Sequence, residues 1–271
     1  REHRKYLPVA PNASNGWFKN GIIDANGNYA GAVLDFYNNP SDKIADDPKP
    51  FAETIFEPSP LNRVLKQGAP GLAWQPDATN TYSSTDRTIK NAFEFNTANE
   101  VLRWTYTPPV SGYPFGKVNA GSASAPVYYA ANQLYKNKTK DEQHNEVIEY
   151  KDKSNRTVLK KVQSGASQYA STYYLYDDLG QLVCVIPPEA VNRLAAEYYH
   201  AGATDATKDT FLRRWAFRYK YDNRRRMTIK HVPGADSVRM VYDRRDRLVM
   251  TQDGVQRLTN KWLFSKYDAL N

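Results

Sequence analysis

Along residues 215–222, rings and polar groups alternate without a break. Trp215, Phe217, Tyr219 and Tyr221 fall on one side, and Ala216, Arg218, Lys220 and Asp222 on the other. That period of two predicts a strand with an aromatic packed face, since a helix would scatter the four rings around its circumference. The strand ends in Tyr-Asp, and the same sentence recurs: strand, Tyr-Asp, a short turn, a basic or amide residue, and at once a second strand. The pairs are Tyr176-Asp177, Tyr221-Asp222, Tyr242-Asp243 and Tyr267-Asp268, with tyrosines 45, 21 and 25 residues apart. Two steps near 20 to 25 and one of double length describe a repeat with one insertion, an array whose units cannot each cover their own apolar face. The insertion, 185–210, opens with prolines and places Val191, Leu194, Ala195 and Tyr198 on one stripe. A short amphipathic helix near 187–200 is expected there.

The turns have their own chemistry. Three places after each Asp stand Gly180, Arg225, Asp246 and Asn271. Gly and Asn take a left-handed backbone at least cost and Asp next, so Arg225 is expected to carry strain. The Asp carboxylate can accept a hydrogen bond from a backbone N–H two residues on and so close the bend. Asp177, Asp222, Asp243 and Asp268 are therefore read as turn formers, not catalytic carboxylates. By the same reading, Tyr221→Ser damages folding and not chemistry.

Upstream, the pattern weakens. Tyr29, Val33 and Phe36 share a face at helical spacing before Pro40, which predicts a short helix with an edge strand as the alternative. In "SPLNRVLKQ", Ser59, Asn62 and Arg63 occupy the Asp, Gly and basic slots of a decayed repeat, with Trp74 as an anchor beneath the "GAPG" bend that follows. Asp152, Asn155 and Arg156 fill the same slots, with the aromatic displaced to Tyr150. Between them "NAFEFNT" and "VLRWTYTPP" alternate like strands, whereas "GKVNAGSASAP" reads as a surface loop or flexible join.

The units "YLYDDLGQLVCVI", "YKYDNRRRMTIKHV", "MVYDRRDRLVMTQ" and "KYDALN" resemble the tyrosine-aspartate (YD) repeats of bacterial RHS-repeat proteins, whose pattern is roughly Tyr-Asp-x-x-Gly-Arg-Leu. The Gly slot is kept at Gly180 and the basic slot at Arg226 and Arg247, with Gln181 as the exception. "REHRKYLPVA" and "FEPSPLNRVLKQGAPGLAW" are similar to the segment that precedes such repeats. The resemblance implies a mainly β fold: an antiparallel strip of YD-repeat hairpins forming part of a β-solenoid shell, with one or two short helices. It divides the chain into a degenerate region, 1–145, and a YD-repeat region, 146–271. It also implies a secreted or surface-delivered bacterial protein whose shell encloses a C-terminal effector, typically a toxin. The implied partners are the remaining repeats of the same polypeptide, the enclosed effector, and secretion or outer-membrane machinery. If "REHRKYLP" is the tail of one unit and "YDALN" the head of another, the chain is a fragment of a longer polypeptide.

Composition adjusts this picture in three places. The mean hydropathy is −0.72, yet 13% of residues are aromatic and 20 of them are Tyr. This combination argues against disorder and suits a large two-sided sheet with one wet face. Residues 211–271 hold 15 Lys and Arg against 6 Asp and Glu, so the net charge of +8 comes from the repeats. Nucleic acid is a disfavoured partner all the same, because the arginines are spread over turns and alternating faces and no recognition element accompanies them. No apolar run approaches the ~20 residues of a membrane span.

Chemistry is the thinnest part of the sequence. Cys184, the only cysteine, sits in an apolar strand and reads as an inert thiol. His3, His144, His200 and His231 have no metal-ligand neighbours at useful spacing, and the adjacent pairs Asp46-Asp47 and Asp177-Asp178 would point to opposite sides of a strand. No cofactor, metal or catalytic residue is expected. Two other functions stay open: an adhesion or carbohydrate-binding module using Trp215 and Trp262 as sugar platforms, and an enzyme built from residues converging out of 75–145.

Overall fold

The computed structural model describes residues 2–9, 21–41, 43–77, 79, 82–110 and 114–268, with backbone alone at 32 and 33. The fold is mainly β and its ladders are antiparallel. It forms two compact units, 1–94 with 137–148, and 95–136 with 149–271.

In the first unit, β1 (Arg4–Tyr6), β2 (Phe51–Phe56), β3 (Val64–Gly68) and β4 (Ile89–Phe95) pair in that order. The helix expected before Pro40 is α1 (Gly31–Phe36). Tyr29 lies ahead of it and is buried with Tyr37 and Phe51, and the Val33 side chain falls outside the described residues. Trp74 ends a single 3₁₀ turn (Leu72–Trp74) and is half-buried under the Arg87 guanidinium, beside the "GAPG" bend. What the sequence does not announce is a buried ionic knot. Lys66 and Lys90, both essentially without solvent contact, are directly paired across β3 and β4. Like charges so placed repel. Asp86 bridges both, with Oδ2 2.7 Å from the Lys66 ammonium and Oδ1 2.8 Å from that of Lys90, and Asp77 brings the second negative charge to Lys66. Asp77 and the Ser84 hydroxyl take the remaining Lys66 protons at 2.7 Å. Burial pushes the Asp86 carboxyl up, but the hydrogen bonds from Lys66 and Lys90 outweigh it and hold the group well below the usual carboxylate range.

The second unit is a meander. The turn-side ends of β7 (Tyr135–Lys140) and β8 (Glu146–Lys151) belong to the first unit; from there β9 (Thr157–Gly165), β10 (Gln168–Tyr176), β11 (Leu182–Ile186), β12 (Phe217–Tyr221), β13 (Met227–His231), β14 (Val238–Tyr242), β15 (Leu248–Gln252) and β16 (Leu263–Phe264) each pair with the next. A separate ribbon joins β5 (Thr105–Thr107) to β6 (Lys117–Asn119). "GKVNAGSASAP" is thus not a free loop. Its Val118 and Ala120 are buried, and the Tyr198 hydroxyl donates to the Val118 carbonyl. Gly116 starts this ribbon at φ 74°, where a Cβ would strike the Thr107 carbonyl and lie 2.6 Å from the Tyr106 ring. Only glycine leaves room for that ring.

The insertion is helical, as expected, but longer and differently phased. It holds α2 (Pro188–Arg193), a π turn (Leu194–Tyr198) and α3 (Asp205–Trp215). The π turn adds a residue to the cycle, so Ala190, Leu194 and Tyr198 are buried while Ala195, expected on the stripe, is exposed. A reciprocal capping box at Thr204 and Thr207 starts α3, and this helix ends at Trp215. Trp215 is therefore not part of the strand. On β12 the expected packed face is also reversed, with Arg218 1% exposed and Phe217, Tyr219 and Tyr221 half-buried. The reason is a remote partner set: the Arg218 guanidinium bonds Asp209 of α3 at 2.7 Å and the Gly116 carbonyl at 3.0 Å, over the Phe115 ring. A charge so satisfied can occupy the inner face.

Candidate functional site

The repeat turns are built alike. At Asp222 the backbone N–H donates to the Arg226 carbonyl (3.0 Å) and the Arg225 N–H returns to the Asp222 carbonyl (2.9 Å). Asp222 Oδ1 accepts the N–H groups of Arg224 and Arg226, and Oδ2 accepts Nε of Arg226 at 2.8 Å. Asp152, Asp177 and Asp243 make the same set, with Gln181 Nε2 in place of an arginine Nε at Asp177. The residue in the fourth place is left-handed in each: Asn155 at 60°, Gly180 at 78°, Arg225 at 63° and Asp246 at 63°. This is a hairpin turn closed by a bulge, and the ladders slip by one residue just before Tyr176, Tyr221 and Tyr242. The Asp222 carboxyl is lowered, chiefly by the Arg226 side chain, and that of Asp243 chiefly by the Arg247 backbone N–H.

The tyrosines do something that the sequence reading assigned only to packing. Each hydroxyl reaches into the preceding unit and donates to the carbonyl one residue past its basic slot: Tyr176 to Thr157 (3.1 Å), Tyr221 to Leu182 (2.9 Å), Tyr242 to Met227 (2.8 Å) and Tyr267 to Leu248 (2.8 Å). The preceding unit's arginine then stacks on the same ring, Arg156 on Tyr176, Arg226 on Tyr242 and Arg247 on Tyr267, at 4.7 to 5.1 Å from the ring centre. One unit supplies the acid, arginine and carbonyl, and the next supplies the ring and hydroxyl. Gln181 alone puts no guanidinium over its tyrosine, Tyr221. Asp268 follows Tyr267 in the chain, but its left-handed slot at Asn271 lies outside the described residues, as does Arg1.

Two further turns of the same kind carry neither the tyrosine nor the arginine of the repeat and are not visible from its pattern. Asp141 clasps Asn145 with His144 at φ 68°, and Asp24 clasps Asn28 with Gly27 at φ 73°. Their signal is the spacing Asp-x-x-x-Asn. In the decayed repeat, as expected, Asn62 is left-handed at 51° and the Ser59 hydroxyl accepts a local backbone N–H, that of Leu61, at 3.2 Å. The acid, however, is Glu57, which grips Arg63 through Nε at 3.0 Å and Nη2 at 2.7 Å, while the guanidinium covers Phe93. These bonds lower the Glu57 carboxyl to about 2.

Other residues singled out in the sequence are occupied structurally. Cys184 is fully buried, and burial pushes its thiol up to about 12, which keeps it protonated. His231 Nε2 lies 2.7 Å from the Arg213 carbonyl. Trp215 carries Arg193 and Arg214 on its ring and donates to Glu197, so it is not an open platform. Among the described residues no helix is long and apolar enough to cross a membrane.

Comparison with known proteins adds three findings. Residues 1–88 match the family described as a domain of unknown function, DUF6443. None of the curated proteins matches. A solved structure of the Photorhabdus luminescens Tc holotoxin pore, carrying the TccC3-D651A mutation, matches at 12% identity with a TM-score of 0.40. That match covers 75% of this chain and 7% of the toxin chain.

Proposed function

We propose that the chain is a wall: a structural segment of a large RHS-type, YD-repeat β shell that carries or encloses a C-terminal effector, in a secreted or surface-delivered bacterial protein. The observation that supports this most is the split joint, in which every tyrosine completes the unit before it. An array joined in this way gains a hydroxyl bond with each added unit and a stacked ring wherever the preceding unit has its arginine, and it buries edges that would otherwise template aggregation. The YD resemblance supplies the shell and its cargo. The repeat aspartates and Cys184 are committed to turns and core, which fits a structural role for each of them.

Negative-stain imaging and limited proteolysis of the full parent protein test the proposal. Closed hollow particles whose interior segment resists protease are expected; open filaments or separate beads would exclude a shell.

A further inference from the structure

The joint between Gln181 and Tyr221 leaves an opening that its neighbour fills. Two equivalent clefts lie one repeat apart. The first is lined by Asp152, Arg156, Val158, Tyr174 and Tyr176 beneath Trp104, and the second by Asp177, Gln181, Val183, Tyr219 and Tyr221 beneath Tyr106. On the repeat side they match position for position, except that Arg156 gives way to Gln181; the opposite walls differ, with Leu102, Trp104 and Tyr129 in the first and Tyr106, Pro108 and Pro109 in the second. Gln181 Nε2 bonds Asp177 Oδ2 at 2.8 Å, as Arg156 Nε bonds Asp152 Oδ2 at 2.8 Å. The glutamine ends there. An arginine would continue into the guanidinium carbon and two terminal nitrogens, which in the first cleft sit over the Tyr176 ring. About 80 Å³ is empty in the first cleft and about 250 Å³ in the second; the missing guanidinium accounts for part of this difference and the other walls for the rest.

What remains in the larger cleft is a set of groups suited to a cation. Among the described residues no cation lies over the Tyr221 ring. Tyr106 and Tyr219 add two more rings, Asp177 and Asp178 add two carboxylates, and Lys220 is the one basic side chain on the wall. A planar guanidinium could stack on tyrosine there and face the carboxylates. We propose that this cleft receives an arginine side chain from another protein segment, seated where the repeat lacks its own. The chemistry of the cleft is the same whether or not the chain belongs to a wall.

The probe is N-acetyl-arginine amide, titrated into the 271-residue chain while the Gln181 side-chain amide and the Tyr219 and Tyr221 rings are followed by NMR. Saturable shifts are expected. N-acetyl-lysine amide should bind severalfold more weakly, and the neutral citrulline analogue should give no saturable shift. Gln181→Arg should fill the cleft from within, abolish the shifts and raise the melting temperature. Asp178 is exposed, so Asp178→Asn keeps the fold and should weaken arginine binding about fivefold, the loss of one carboxylate at short range in water. Binding of citrulline equal to that of arginine, no saturable shift in the parent chain, or unchanged binding in Asp178→Asn would overturn the proposal. Unchanged binding in a folded Gln181→Arg variant would overturn it too.

Discussion

The two units of this chain solve the same problem, holding hairpins in register, by different means. The first buries a charged knot: two lysines face each other across β3 and β4, Asp86 stands between them, and Asp77 also holds Lys66. The second, apart from Arg218, leaves the charges of its repeat turns half-exposed and repeats one modest joint along the meander, so that no single joint carries much. The difference teaches where each unit can fail. A knot of three buried charges is lost as a whole when one member goes, whereas a row of joints degrades one at a time.

The largest effect is therefore expected at Asp86. Asp86→Ala leaves Lys66 and Lys90 buried and opposed, and should destabilise the first unit by ~3–5 kcal/mol. Urea unfolding read by tryptophan fluorescence measures this, since Trp74 reports the first unit. Loss of less than about 1 kcal/mol, the scale of a surface pair, would mean that the lysines find water or another acid.

The counterpart in the second unit is Tyr242. Removing its ring and hydroxyl together in Tyr242→Ala should cost ~2–3 kcal/mol, somewhat below a fully buried aromatic because the ring is half-exposed. Tyr242→Phe keeps the ring under Arg226 and removes only the bond to the Met227 carbonyl, for ~1 kcal/mol. If Tyr242→Phe cost as much as Tyr242→Ala, the hydroxyl would be the whole joint and ring stacking would contribute nothing.

Much of this was legible and some was not, for a reason of range. The turns could be read because they are local: acid, left-handed residue and basic residue lie within five positions, and Arg225 was marked as strained from its slot alone. The joints were invisible because their partners lie 15 to 39 residues apart, and tyrosine's ring explained its presence without its hydroxyl. Burial of Arg218 depends on Asp209 and on Gly116, 102 residues away, so alternation alone put the wrong face inside. The helix α3 was missed because its start is a Thr-Thr box rather than a Ser/Thr-Glu one. In the decayed repeat the slots of Ser59, Asn62 and Arg63 are legible, and the grip of Glu57 on Arg63 is not, since Glu57 reaches in from outside the pattern.

The strain at Arg225 offers a smaller, opposite change. An arginine at φ 63° costs ~1–2 kcal/mol relative to a residue at ease there, and Asn is the nearest such residue that the chain itself uses, at Asn155 and Asn62. Arg225→Asn should stabilise the second unit by ~0.5–1 kcal/mol, visible as a higher urea midpoint with an unchanged slope. A lower midpoint would show that the Arg225 side chain, exposed at the turn, makes contacts worth more than the strain.

The smallest effect is electrostatic and belongs to the turn that moved its acid. Glu57 is lowered to about 2 in the folded chain by Arg63 and Ser59, below the ~4.3 of a free glutamate. Between those values the unfolded chain binds a proton that the folded chain refuses. The stability supplied by the Glu57–Arg63 clasp is thus complete above the unfolded value and drains away as pH falls toward 2. Because the Arg63 side of the pair is open to solvent, salt should erode it as well. Glu57→Gln removes this component: the variant should lose less stability than the parent chain between pH 5 and 2 in low salt, and the two curves should converge in high salt. Parallel curves at all salt concentrations would mean that the clasp shapes the turn without holding it.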